Sequence, residues 1–155
     1  MSSLNLSEKG EKLIELYDSM AAEGYDRADG RRINDVYNSF ELRKFRNIVL
    51  PYFKEYEIKS VLDYGCGGSD WEMLSFDDGT ATSAKDFFNL DAVSYYEPAR
   101  GLDQRQKVDC VSCFDVLEHV FISDVATVLR DILSYAQKLV VINIACYDSA
   151  AILPN

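Results

Sequence analysis

Between Val61 and Asp70 the chain reads Val-Leu-Asp-Tyr-Gly-Cys-Gly-Gly-Ser-Asp, an apolar strand that enters a glycine-rich turn and points toward a helix start. Glycine lets a backbone turn sharply and approach a ligand with no Cβ in the way. Ligands of open α/β sheets bind at the carboxyl ends of the strands. The chemistry expected of Gly65, Cys66 and Gly67 is therefore cofactor binding. Glu97 closes a later apolar run, Ala92–Glu97, and an acid at that place accepts hydrogen bonds from both ribose hydroxyls of a nucleoside-type cofactor. Further on stands Phe114-Asp115-Val116-Leu117-Glu118-His119. His119 is the only histidine, and an unperturbed imidazole titrates at about 6.5, which makes it the candidate general base. Asp115, Glu118 and His119 also stand at i, i+3 and i+4, so on a helical turn they share a face. Two carboxylates and an imidazole there offer an alternative role, holding a divalent cation that lowers the pKa of a substrate hydroxyl. Each feature has a plainer reading too: a tight turn that binds nothing, an acid that ends a surface strand, a structural histidine at a helix start.

The turn distinguishes between cofactors. In the dinucleotide fingerprint G-x-G-x-x-G a third glycine packs helix against strand and a pyrophosphate rests on the helix amino end. Gly65 and Gly67 fit the first two places, but Asp70 occupies the third, where its carboxylate repels a pyrophosphate. Glu97 follows Asp63 by 34 positions, against roughly 20 in the dinucleotide pattern. An insertion at Phe76–Ser83 accounts for the extra length.

Taken in order, the turn, Tyr95-Tyr96-Glu97-Pro98 and the run Val108–Val120 resemble the S-adenosylmethionine-dependent methyltransferases of the Rossmann-like class, over about residues 58 to 146. The stretch Phe114–Val120 is similar to the matching segment of small-molecule O-methyltransferases of the ubiquinone-biosynthesis type. The resemblance implies S-adenosyl-L-methionine as cofactor, contacted by Asp63, Gly65, Cys66, Gly67, Glu97, Phe114 and Asp115, and a small-molecule methyl acceptor beside His119. A cofactor with a sulfonium, an ammonium and no phosphate suits an acidic pocket, with Asp63 and Asp70 toward its amino acid end. Some relatives with an acid-x-x-Glu-His run use a metal. Methyl transfer is an in-line displacement in which holding the nucleophile at near-attack distance contributes up to roughly 7–11 kcal/mol, so a general base is optional. The chain departs from the pattern twice. Nine residues separate Pro98 from Val108, too few for a helix, a strand and a second helix, which leaves Leu102 and Asp103 in place of the usual edge. The chain also stops at Asn155, where members of the family continue with a helix and an antiparallel hairpin, as expected of a minimal form or a truncated piece. If that loss removes the substrate wall, the domain binds S-adenosylmethionine without transferring its methyl. A nucleotide- or NAD-binding domain is the third alternative, and Asp70 speaks against it.

The elements that must position these residues follow from periodicity. Residues 7 to 22 place Leu13, Ile14, Tyr17, Met20 and Ala21 at helical spacing, with Ser7 as cap and Glu8 and Glu11 in the first turn. The glycine-bounded, charged stretch Glu23–Arg32 reads as a loop and a candidate lid. Tyr17, Tyr25, Arg27, Arg31 and Arg32 are candidates to close over the pocket, where an arginine would suit a substrate carboxylate, with surface charge beside core aromatics as their plainer role. A second helix is expected from about Ser39, with Phe40, Phe45, Ile48 and Val49 on one stripe and an end or kink near Pro51. Then come strand Ser60–Tyr64, a short helix after Gly68, an exposed turn at Phe76–Thr80, a helix over Ala84–Leu90 capped by Ser83, and strand Ala92–Glu97. Strand Val108–Phe114, a helix opened by Ser123 and Asp124, and strand Leu139–Ala145 complete the series. This alternation predicts an α/β fold, a three-layer Rossmann-like sandwich with a mostly parallel sheet in the order second, first, third, fourth strand. A helical cap over residues 1–57 and a cofactor-binding core over 58–155 form one domain.

At 155 residues with 48% hydrophobic content the chain suits a single globular domain. The formal charge of −10 repels a phosphate backbone, so nucleic acid is a disfavoured partner. The cluster Arg43-Lys44-Phe45-Arg46 reads as a solvated helix face. Cys110 and Cys113 are spaced C-x-x-C, but three apart on a strand they point to opposite faces and cannot share one ion. With Cys66 and Cys146 they read as small hydrophobes. No run approaches the roughly 18 apolar residues of a membrane span, and the start lacks the pattern of a secretory signal. A cytosolic protein without membrane contact is expected, with a homodimer following from exposed sheet edges.

Overall fold

The computed structural model describes residues 4–27, 30–34 and 40–146. Its centre is a five-stranded sheet built from β3 (Ser60–Tyr64), β4 (Ala92–Glu97), β5 (Leu102–Asp103), β6 (Val108–Phe114) and β7 (Ala136–Asn143), in the order β5-β4-β3-β6-β7. The pairs β3 with β4, β3 with β6 and β6 with β7 are parallel, and only β5 runs antiparallel. The expected order of the four longer strands holds, and three of them keep the bounds expected from their apolar runs. Leu102 and Asp103 form the edge strand, paired with Glu97 and Tyr96.

Apolar side chains alternate across the sheet into two clusters. Val61 and Cys110 pack on one face with Leu42, Val49 and Phe53 of α2 (Leu42–Glu55) and with Trp71, Phe76 and Phe88. Leu62, Val111 and Cys113 pack on the other with Val128 and Ile132 of α4 (Ile122–Tyr135). Cys110 and Cys113 thus lie on opposite faces, each fully buried. Between the two faces falls the helical layering of an α/β fold, completed by the four-residue α3 (Ala84–Phe87). Among the described residues no helix is long and apolar enough to cross a membrane.

Several local expectations are corrected. No helix follows Gly68: residues 65–82 run as turns until Ser83 caps α3 through Asp86 N at 3.1 Å, and α3 stops at Phe87 rather than Leu90. Phe76 is not part of an exposed turn but is buried in the aromatic cluster beside Phe40, Phe87 and Phe88. Arg43 and Arg46 do more than solvate a helix face. They hold that turn to α2 through Asp77 and Asp78, and Arg43 Nε also donates to the Phe76 carbonyl. The second helix continues through Pro51 to Glu55, because Val49 and Phe53 anchor both sides of the proline. Asn47 and Pro51 lie on the exposed side, so the carbonyl deprived of its donor faces solvent. Ile48 points outward, 64% exposed, and Leu42 takes its place on the buried stripe. Ser39, the expected start, lies outside the described residues. Inside the stretch read as a loop, β1 (Tyr25–Asp26) and β2 (Arg32–Ile33) pair as an antiparallel hairpin. Helix α4 begins at Ile122, one residue ahead of Ser123, and passes directly into β7 at Ala136.

The first helix, α1 (Glu8–Glu23), is capped by Ser7 as expected. A second contact ties it down: buried Asp124, at the start of α4, accepts from Ser7 N at 2.9 Å and from Ser7 Oγ at 2.7 Å. Gly10 sits in the same place, where an added Cβ would fall 2.4 Å from Asp124 Oδ2. Gly10→Ala is therefore expected to destabilise the protein by about 1–2 kcal/mol, since overpacking costs about 1–3 kcal/mol and helix propensity returns at most about 1. Thermal melting measures this. A midpoint at or above that of the wild type would mean that α1 is not fastened through Asp124.

Candidate functional site

A cavity of about 350 Å³ opens at the carboxyl ends of β3, β4 and β6, beneath α1. Its walls include every residue expected to bind a cofactor, Asp63, Gly65, Cys66, Gly67, Glu97, Phe114 and Asp115, together with His119. Parallel strands end on the same side of a sheet, so residues as far apart as 63, 97 and 114 arrive at one place. The inner face of α1 supplies Leu13, Ile14 and Tyr17 as a roof.

The turn after β3 leans on β4. Gly65 N donates to the Tyr96 carbonyl at 2.7 Å, Cys66 N to the same carbonyl at 3.2 Å, and Gly67 N to Glu97 Oε2 at 2.9 Å. The other Glu97 oxygen accepts from Ala99 N at 3.1 Å. Gly65 adopts φ +75°, and a Cβ there would lie 2.4 Å from Val116 Cγ2, so both conformation and space require glycine. These three consecutive amides are the donors that a phosphate-cradling turn would offer to an anion. Here they are spent on a carbonyl and a carboxylate, and no helix amino end follows to supply others.

Asp63 lies at the floor, 5% exposed. Its Oδ2 accepts from Trp71 Nε1 at 2.8 Å and its Oδ1 from Ser112 Oγ at 3.3 Å. Among the described residues no salt bridge reaches it. Burial pushes its pKa up to about 6, hydrogen bonds from Trp71 and Ser112 oppose that, and the Glu97 carboxylate adds to it. Cys66 stays a neutral thiol, pushed up to about 12 by burial and then by Asp63 and Glu97, so it is no nucleophile. Asp115, at the end of β6, holds φ +53°, an uncommon conformation for a residue with a side chain. Burial raises its pKa, and the nearby Glu41 and Glu118 carboxylates raise it further.

Asp70 is exposed and outside the cavity, its Oδ1 bound to Glu72 N at 2.9 Å, which corrects the expectation that it joins Asp63 near the ligand. The alternative metal set of Asp115, Glu118 and His119 does not form. Glu118 Oε1 turns to Ala145 N at 2.7 Å, and among the described residues no three His, Cys, Asp or Glu side chains converge as metal ligands. His119 sits at the rim on a short 3-10 turn, Leu117–His119, where its ring meets the Tyr17 ring edge-on at 6.0 Å between centroids. Tyr17 remains a neutral phenol, pushed up to about 12 by burial and then by Tyr25, Glu118 and Glu97.

Sequence reasoning missed Phe40 and Glu41 at one wall and Pro98, Ala99 and Arg100 at another. No motif marks the first pair. The second could have been found, since residues that directly follow a strand-end acid must border the same cleft. Compared with protein-family models, curated proteins and solved structures, the chain finds no match in any of the three.

Proposed function

We propose that this chain is a Rossmann-like S-adenosylmethionine-dependent methyltransferase domain acting on a small molecule. The observation that carries the proposal is a buried carboxylate, Asp63, that lines the cavity and has no counter-ion among the described residues. A buried charge without a partner is costly, and a cationic ligand would supply the partner. The spent amides of Gly65, Cys66 and Gly67 support the same reading against NAD or another phosphate-bearing nucleotide. The cavity is at the lower end of the 300–1,000 Å³ typical of small-molecule sites.

In this reading Glu97 accepts from the two ribose hydroxyls with the lone pairs left free by Gly67 and Ala99. Asp63 faces the charged amino acid end, and Phe114 and Asp115 border the rest. S-adenosylmethionine, when bound, supplies an activated methyl that an acceptor's lone pair takes as the carbon–sulfur electrons return to sulfur. Roof residues of α1 exclude water and hold the acceptor in line. His119 at the rim takes the acceptor's proton where one must leave, and Tyr17 fixes the orientation of its ring.

The same cavity size supports a second reading, a domain that binds S-adenosylmethionine without transferring its methyl, because with α1 in place there is room for about one ligand of that size. Calorimetric titration with S-adenosylmethionine, S-adenosylhomocysteine and NAD tests both. Micromolar binding of the first two and none of NAD is expected. Absence of binding by either adenosyl compound, or NAD binding of equal strength, overturns the cofactor assignment. Bound cofactor with no methyl loss to any of a broad acceptor set selects the second reading.

A further inference from the structure

We infer that the outer edge of β7 is an interface on which a second copy of this chain pairs, strand against strand, about a twofold axis. The inference is independent of what the cavity binds. The two edges of the central sheet differ. At β5 the edge is two residues long, and the chain closes it immediately: Gln104 N donates to the Tyr95 carbonyl and Gln104 Oε1 accepts from Tyr95 N. The Arg105 side chain, 5% exposed, then lies over the Tyr96 ring and bridges Asp103 to Asp131 of α4.

The β7 edge carries no such closure among the described residues. It is eight residues long, and its inner side pairs with β6 from Val108 to Phe114. Leu139-Val140-Val141-Ile142 is as apolar as any strand in the sheet, yet no residue of β7 is buried, whereas five of the seven in β6 are. Ile142 is 37% and Ile144 46% exposed. A long, open, apolar edge is a template for another strand.

Charge selects the partner. The chain carries 26 acidic residues and a net charge of −10, so most ways of bringing two copies together set carboxylates against carboxylates. Residues 136–146 contain none. The single charge there, Lys138, is held by Asp109 at 3.0 Å, which leaves the strand nearly neutral. Two copies meeting at β7 avoid the repulsion that their other surfaces impose. The strand is also self-complementary. Antiparallel pairing centred on Val140 sets Leu139 opposite Val141, apolar on apolar, Gln137 opposite Asn143, amide on amide, and the aliphatic stem of Lys138 opposite Ile142, in an isologous contact. A bulge between Val108 and Cys110 of the β6 pairing irregularises only the first end of β7.

Sedimentation of the full chain tests the inference. The wild type is expected to sediment as a dimer of the 17.6 kDa chain at about 10 μM. Ile142→Lys and, separately, Ile142→Arg place a cation on this exposed position opposite Lys138 of the second copy, on both sides of the axis, and are expected to weaken the dimer at least tenfold, with circular dichroism and melting unchanged. Ile48→Glu on the exposed face of α2 is the control and leaves the dimer intact. A wild type that stays monomeric at several hundred micromolar overturns the inference. So does a dimer that survives both edge variants, or one that only Ile48→Glu dissolves. Two variants guard against a single misfolded one.

Discussion

Asp63→Asn is expected to raise the melting temperature at neutral pH while weakening the affinity for cationic ligands. The sign follows from linkage. The carboxyl of Asp63 titrates near 3.8 when the chain is unfolded and at about 6 when folded. Between those values the folded state binds more protons, so the stability it contributes is fully present below the unfolded pKa and is lost as pH rises through the folded one. At about 1.4 kcal/mol per unit the loss at pH 7 is of order 3 kcal/mol. Asparagine removes the charge and keeps the bonds. Its carbonyl oxygen accepts from Trp71 Nε1, and its amide donates to Ser112 Oγ, which is then free to donate to the Leu62 carbonyl beside it. A gain of several degrees is expected at pH 7.5, shrinking toward zero near pH 4. S-adenosylmethionine affinity is expected to fall by ten- to a hundredfold. Calorimetry at the two pH values measures the first effect and ligand titration the second. A variant less stable at neutral pH, with unchanged affinity, would show that the carboxylate is structural and already compensated.

Replacing Glu97 is expected to cost more than any other single change at the site. Its two oxygens hold Gly67 N and Ala99 N, and in the proposed complex they also receive two ribose hydroxyls. Hydrogen bonds to a charged group contribute about 1.5–3 kcal/mol each. Glu97→Ala should therefore weaken S-adenosylmethionine and S-adenosylhomocysteine at least a hundredfold, equally for both, because each carries the same ribose. Glu97→Gln keeps one acceptor but turns an NH₂ toward an amide donor, and an intermediate loss of about tenfold is expected. Titration of the two variants against both ligands decides it. Equal affinity of wild type and Glu97→Ala would mean that the acid only braces the turn.

How much could be read in advance depends on where each signal resides. Buried parallel strands carry their own evidence, since a run such as Val108–Phe114 is apolar throughout and bounded by charge. That the candidate site residues share one cavity was legible for the same reason: they sit at the ends of those strands, and parallel topology brings strand ends together. What failed was local inference where tertiary contacts prevail. Asp70–Ser75 has the composition of a helix, but Trp71 is drawn into the core by Asp63 and Phe76 by the aromatic cluster, and the chain between them turns, with Ser75 at φ +105°. Pro51 reads as a stop, yet Val49 and Phe53 are anchored on the same side and the helix continues. The hairpin of β1 and β2 is too short, at two residues a strand, for alternation to show. The bond between Ser7 and Asp124 spans 117 positions and has no counterpart in any local pattern.

Trp71 is the only tryptophan in the chain, and it is buried with its indole nitrogen bonded to the carboxylate at the cavity floor. The protein thus contains a single indole, excitable at the red edge of the absorption apart from the ten tyrosines, and it is bonded to the group whose charge state is in question. Its emission reports on the surroundings of Asp63 without a label and without competing indoles. Ionisation of the acid and arrival of a counter-charge are both events at one bond's length from the chromophore, so occupancy and protonation can be followed optically in the unmodified chain.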